Sequence, residues 1–257
     1  MEKDVWTSLR RYTPARIAIG RAGGSLPTAE VLDFAWAHAE ARDAVKMELD
    51  VERLAGAIEK LGVKCVRLES AAGNRETYVR RPDLGRRLSD ASREALARLN
   101  PPTAAPDVAI IVADGLSAVA AREQVVKVLE KLLPMLAGSG ISVGTICVVK
   151  NARVAIEDEI GQMMNARAAV ILLGERPGLG TADSLGTYLV YEPRVGKTDA
   201  QRNCISNIRE AGLRSDAAAK TISYLLIESL RRKISGVQLK DERVKSFGGN
   251  GTRTIES

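Results

Sequence analysis

Two uninterrupted apolar runs, Val108–Val112 and Ala168–Leu173, constrain this chain more than any other feature. A strand with one face in water alternates polar and apolar residues; one without alternation is buried on both faces. Ile141–Val149 is a third β-rich run. Between the runs lie helical patterns from Ser117 to Leu136, with Pro134 in the last turns, and from Ile156 to Met164. A strand is expected over Thr187–Tyr191, then helices over Asp199–Ile208 and Asp216–Ile234. Strand alternating with helix predicts an α/β unit over residues 105–244, a Rossmann-like parallel sheet covered by helices on both faces.

The preceding stretch, Asn100–Pro106, holds three prolines in six positions and reads as a stiff linker. Residues 1–104 read as a smaller, mainly helical domain. Pro27-Thr28 starts a helix with Val31, Leu32, Ala35 and Ala39 on one face. Asp50 caps a second, with Leu54, Ile58 and Leu61 apolar and Gly62 as its stop. Val63–Leu68 alternates with period two and Thr77–Val79 is a short extended run. Ala71–Asn74 between them predicts a hairpin. Helix returns over Leu88–Leu99. Residues 245–257, with Gly248, Gly249 and Gly251, read as a flexible tail.

Composition removes several function classes. Of 257 residues, 45% are hydrophobic and 27% charged, as in a globular protein. There is one histidine, His38, so no multi-histidine metal site exists, and Ser-His-Asp chemistry would have to use it. Three cysteines do not make a disulfide scaffold. Aromatics at 4% give little for base stacking. No apolar run of about 20 residues spans a bilayer. The first residues lack the apolar core of a signal peptide. The formal charge of +6 comes from mixed acids and bases, which reads as a solvated surface, with neither nucleic acid nor membrane as partner.

In an open parallel sheet, ligands bind beyond the carboxyl ends of the strands. Asp114–Ser117, Lys150–Val154 and Gly174–Gly180 fall there. The third is the most informative: glycines at 174, 178 and 180 let backbone approach a ligand, Glu175 offers an acceptor and Arg176 donors. It is neither a P-loop nor a dinucleotide fingerprint, and a tight structural turn accounts for it equally well. Ser117 is a helix cap by the same reasoning. Cys204, Cys65 and Cys147 read as small buried hydrophobes, and His38 as a satisfied, partly buried imidazole. Glu157, Asp158 and Glu159 sit where a helix dipole favours acids. None of these is read as a catalytic residue or a metal ligand.

Six further groupings run in order along the chain: Thr13–Ile17 with Gly20–Gly23, Arg81–Leu88, Asp114–Ser117, Arg153-Val154 with Ile156–Asp158 and Ile160-Gly161, Gly174–Gly180, and Asn203–Ile208. Taken together they resemble the small (light) subunit family of ethanolamine ammonia-lyase, an adenosylcobalamin-dependent lyase. The resemblance runs from about residue 8 to about residue 240.

The resemblance implies a division of labour. A large TIM-barrel subunit holds ethanolamine, and cobalt–carbon cleavage gives a deoxyadenosyl radical that starts conversion to acetaldehyde and ammonia. The small subunit covers the other side of the cobalamin in a hetero-oligomer. The family's cofactor contacts fall on Val154, Glu175 and Cys204, with Arg153 beside them. Val154 and Glu175 are expected at the ends of neighbouring strands and Cys204 at the start of a helix. Base-off cobalamin proteins use an Asp-x-His-x-x-Gly motif. Positions 36 and 41 are Trp and Ala around His38, so the cofactor is expected base-on. The implied location is cytoplasmic. A bacterial microcompartment is the alternative, although the long N-terminal extension that some members carry is not seen before Thr13. The rival reading is a free-standing α/β module for a nucleotide or phosphate ligand, resting on the glycine-rich turn.

Overall fold

The structure, a computed structural model, describes residues 4–99 and 105–243. The strands are Cys65–Glu69 (β1), Val108–Ala113 (β2), Ile146–Lys150 (β3), Ala168–Gly174 (β4), Leu185–Tyr191 (β5) and Arg202–Ile208 (β6). They form one sheet in the spatial order β1-β3-β2-β4-β5-β6. The α-helices are Thr28–Lys46 (α1), Val51–Glu59 (α2), Arg75–Arg80 (α3), Asp90–Leu99 (α4), Ala118–Gly138 (α5), Ile156–Met163 (α6) and Ser215–Arg232 (α7). Most of the linker, residues 100–104, and the tail expected over 245–257 lie outside the described residues.

Every residue of β2 and β4 is buried, as the apolar runs require. Val108, Ile110 and Val112 face one core layer with α2, α5 and α7. Ala109, Ile111 and Ala113 face the other with α4 and α6. The α/β expectation is met, but the sheet is mixed rather than wholly parallel. β1, β3, β2 and β4 are parallel, whereas β5 runs antiparallel to both β4 and β6. Parallel neighbours need a long crossover, usually a helix. No helix lies between Gly174 and Leu185, so the chain returns antiparallel.

Three local expectations are corrected. Cys65–Glu69 is not a hairpin arm but the outer strand of the sheet, in register with β3. Its expected partner, Thr77–Val79, lies inside α3, because Asn74 Oδ1 accepts from Thr77 N–H at 2.9 Å and caps that helix. Asp199–Ile208 is one 3-10 turn, Asp199–Gln201, followed by β6. Here the spacing of Ile205 and Ile208 is helix-like for a different reason. Leu185 pairs with Ile208 and Thr187 with Ile205, so β6 carries an extra residue in a bulge, with Asn207 at φ 59°. The bulge turns both isoleucines to the same layer.

The first helix begins at Thr28 as expected, yet Val31 and Leu32 are exposed and Ala37 and Ala44 are the buried pair. His38 is exposed on α1, its ring centroid 6.4 Å from that of Phe34, rather than partly buried. The second helix follows its expectation: Asp50 caps it through Arg53 N–H, Leu54 and Ile58 are buried, and Gly62 has φ 82°. Ser117 caps α5 through Ala120 N–H.

The chain leaves β2 toward α5 on one face and β3 toward α6 on the other, which opens a crevice at their carboxyl ends. Asp114 fills it. This fully buried carboxylate accepts from Asn151 N–H at 3.0 Å, Ala152 N–H at 3.2 Å and Arg75 Nη1 at 3.0 Å. On the β4 side, Gly115 has φ 52° and an added Cβ would lie 2.1 Å from Gly174 O. Leu116 N–H donates to that same oxygen at 2.9 Å.

Two predictions follow from these contacts. Gly115→Ala should lower stability by about 2 kcal/mol or more, because both the backbone angle and the carbonyl oppose a methyl group. Gly56→Ala, in α2 with open space around it, should raise stability by about 0.5–1 kcal/mol. Urea unfolding of the pair checks both signs, and equal midpoints would refute the packing argument.

A third prediction concerns pH. Burial pushes the Asp114 carboxyl from an ordinary 3.8 up to about 6, against the pull of Arg75 and the two amides. A raised acid holds its proton more tightly when folded. Its contribution is complete below the unfolded value and is lost as pH rises through about 6. The stability of wild type relative to Asp114→Asn should therefore fall by about 2 kcal/mol between about pH 4 and pH 7. Parallel unfolding profiles across that range would contradict it.

Candidate functional site

The three expected loops do lie at the carboxyl edge, after β2, β3 and β4. β3 and β4 are not neighbours, however, since β2 stands between them. The separation follows from the reversal of strand order at β2, which apolar periodicity does not encode.

Glu175 is the first residue after β4. Its N–H donates to Ser184 O at 2.9 Å, which opens the β4–β5 hairpin. Its side chain lies over β5 at Gly186, where a Cβ would sit 2.9 Å from Oε1 and 3.0 Å from Cγ. Glycine at 186 is what admits the carboxylate. Oε2 accepts from Ser184 Oγ at 2.6 Å and from Asn207 N–H at 3.3 Å, which ties the end of β4 to the bulge in β6. Oε1 receives no donor from the described residues.

Cys204 lies within β6, not at a helix start, and it is exposed, not buried. It stands opposite Tyr188 of β5. Partial desolvation holds its thiol above the ordinary value, outweighing the Tyr188 hydrogen bond, and the Glu175 charge adds to the rise. Desolvation likewise raises the Tyr188 hydroxyl, with Cys204 and Glu175 contributing. Glu175, Tyr188 and Cys204 are therefore electrostatic neighbours, and both Tyr188 and Cys204 stay neutral at ordinary pH.

Arg153 and Val154 are half-buried in the loop between β3 and α6. Val154 and Tyr188 pack against the same core layer, on the α6 side of the sheet. Val154 O accepts from Glu157 N–H at 3.1 Å as α6 begins, while the N–H groups of Val154 and Ala155 meet no acceptor among the described residues.

One buried ionic cluster joins this loop to β6. Arg202 Nη1 donates to Glu157 Oε1 at 2.6 Å and Asp158 Oδ1 at 2.9 Å, and Nη2 to Asp158 Oδ2 at 2.6 Å. All three side chains are at most 2% exposed. Burial raises the Glu157 carboxyl well above its usual range despite Arg202, and Asp158 adds to the rise. Burial opposes the Arg202 charge, yet Asp158 and Glu157 hold the guanidinium above its ordinary value. Cys204 is two residues beyond Arg202 and shares its face of the strand. The acids Glu157, Asp158 and Glu159 are thus not simply favoured by a helix dipole. Glu159 also works across the fold, accepting from Leu88 N–H at 2.8 Å and Arg93 Nε at 2.6 Å.

The result is a shelf on the α6 side of the carboxyl edge. Glu175 and Cys204 adjoin, and Val154 packs against the same core layer from the loop before α6, while the Arg153 guanidinium lies over the Tyr78 ring. Sequence reasoning missed Tyr188, Gly186, Ser184 and Arg202. Period-two alternation through Gly186, Tyr188 and Val190 was the available signal for the first two. The shelf offers an open carboxylate oxygen, free amide N–H groups and neutral hydroxyl and thiol groups. Such a set is able to pair with amides through hydrogen bonds.

Comparison with known proteins gives one family. The ethanolamine ammonia-lyase light chain (EutC) family matches residues 3–240. An ethanolamine ammonia-lyase small subunit of Xanthomonas campestris pv. campestris is 50% identical over 254 residues, covering 97% of this chain and 92% of its own length. That of Azotobacter vinelandii is 51% identical over 255 residues, covering 97% and 93%. That of Pseudomonas aeruginosa is 48% identical over 257 residues, covering 98% and 93%. With identity at this level along nearly the whole chain, the protein belongs to the small-subunit (light-chain) family of ethanolamine ammonia-lyase.

Proposed function

We propose that this chain is the subunit of ethanolamine ammonia-lyase that covers one side of adenosylcobalamin, using Val154, Glu175 and Cys204 with Arg153 beside them. A large subunit holds ethanolamine and completes the site from the other side. The observation that carries the reading is the shelf itself, with Glu175 Oε1 and the Val154 and Ala155 N–H groups unpaired at a carboxyl edge. The periphery of cobalamin carries amide arms, each with a donor and an acceptor, and the shelf has groups complementary to both. When bound, the cofactor supplies a weak cobalt–carbon bond and with it the organic radical that starts conversion of ethanolamine to acetaldehyde and ammonia.

This chain's own residues bind and orient. Glu175 accepts from an amide N–H while Ser184 and Asn207 hold its second oxygen. Val154 presents backbone donors. Cys204 and Tyr188 give a neutral contact surface that adds no charge beside the corrin. Base-on binding fits the setting of His38, the chain's one imidazole, which lies on an exposed helix between Trp36 and Ala41 rather than in an Asp-x-His-x-x-Gly motif. The glycine-rich turn that favoured a free-standing phosphate or nucleotide module leads into β5, not into a helix N-terminus, and so lacks the amide cluster that phosphate sites use.

In the enzyme assembled with its large subunit, Glu175→Ala should weaken adenosylcobalamin binding by about 1–3 kcal/mol. The KM for ethanolamine should not change. Cofactor titration with an acetaldehyde assay reads both. Unaltered cofactor affinity would reduce Glu175 to a turn-forming residue and remove the proposal's main support.

A further inference from the structure

The loop that carries Val154 is held from behind with unusual completeness. Asn151, at φ 56°, and Ala152 donate both amides to Asp114. Ser70 Oγ donates to Asn151 O at 2.6 Å, Tyr78 Oη to Ala152 O at 3.0 Å, and Arg153 N–H to Gly85 O at 2.8 Å. Five consecutive backbone groups, N and O of residues 151 and 152 and N of 153, are thus fixed before the chain reaches Val154. The next two amides are the free ones.

Tyr78 stands at the centre of this support. It is fully buried in α3. The Arg153 guanidinium carbon lies 4.5 Å from its ring centroid and that of Arg75 lies 4.9 Å away. Arg75 is itself fixed by Val45 O at 2.7 Å, Gly115 O at 2.8 Å and Asp114. A Cβ on Gly85 would come within 2.9 Å of both Arg153 Cγ and Tyr78 Cε2, so glycine there lets Arg153 lie against the ring. Cation–ring contact is favourable, the more so where the ring is desolvated.

We propose that Tyr78 is a positioning residue for the cofactor: its hydroxyl and ring set the Ala152–Arg153 segment so that the Val154 and Ala155 N–H groups face the shelf. The inference rests on Val154 being a cofactor contact. Tyr78 touches neither substrate nor cofactor, and its effect passes through the loop backbone.

The test uses the complex with the large subunit and three variants. Tyr78→Phe keeps the ring and deletes only the bond to Ala152 O. Gly85→Ala keeps the hydroxyl but crowds both Arg153 Cγ and the Tyr78 ring, and so disturbs their contact from the opposite side. Glu175→Ala reports on the shelf independently of this loop. The first two should each raise the apparent KM for adenosylcobalamin about three- to tenfold, with the KM for ethanolamine unchanged. A merely structural role would lower kcat through loss of folded enzyme and move neither KM, and that result overturns the proposal. If Glu175→Ala weakens cofactor binding while Tyr78→Phe and Gly85→Ala do not, the positioning role fails and the cofactor shelf stands. If none of the three alters cofactor binding, the shelf reading fails and this inference with it.

Discussion

A buried carboxylate at the head of β2 imposes an order on everything around it. Asp114 has no access to water, so its charge must be met by protein groups. The groups it recruits come from separate parts of the chain: two amides after β3 and an arginine from α3. One desolvated residue therefore joins the helices before the proline-rich stretch to the centre of the sheet. It also determines where the loop after β3 can run. Removing water from the crevice strengthens these bonds and makes their geometry costly to alter. A crevice that serves in many open sheets as the ligand site is here occupied by the protein's own side chains. The proposed ligand contacts lie further out, at the end of β4 and in β6.

The second constraint acts at the other edge. Arg202 enters the core with two acids and no water, an arrangement that gives little net stability but is costly to break. It belongs to a strand that also carries a bulge, and together they fix the direction of β6 relative to α6. Glu175 spans the same region from β4, with one oxygen on Ser184 and the Asn207 amide. The positions of Glu175, Cys204 and Val154 are set by groups that lie behind the shelf.

The legible parts of the fold are those that burial decides alone. β2 and β4 are apolar at each position because both faces are covered, and their sequences admit little else. The loops at their carboxyl ends were legible for the same reason. β6 was not, because Arg202 and Asn203 are polar for reasons of pairing across the fold. Its bulge then gives Ile205 and Ile208 a helical spacing. α3 was misread because Thr77, Tyr78 and Val79 favour strands, while the deciding interaction is a single cap from Asn74. Among the site residues, Glu175 was visible from its glycine-rich setting. Val154, Arg153 and Cys204 have no local signature, and family resemblance alone pointed to them. Tyr188 and Tyr78 were invisible as functional candidates, since an aromatic within an apolar run reads as core.

On the proposed reading, the single histidine among 257 residues takes on a definite meaning. A surface that holds part of a cofactor needs fixed donors and acceptors, because the cofactor brings its own reactive bond. Backbone amides and one carboxylate can supply them, provided they cannot drift. A loop amide is a poor anchor when the loop is mobile and a good one when the groups preceding it are already committed. On the proposed reading, the chain meets that requirement with buried polar contacts behind its surface. Asp114, Ser70, Tyr78 and Gly85 fix the backbone of the loop after β3, while Ser184 and Asn207 fix one oxygen of Glu175. Precision at the surface is thus paid for in the interior, where each fixed group is one that water could otherwise have satisfied.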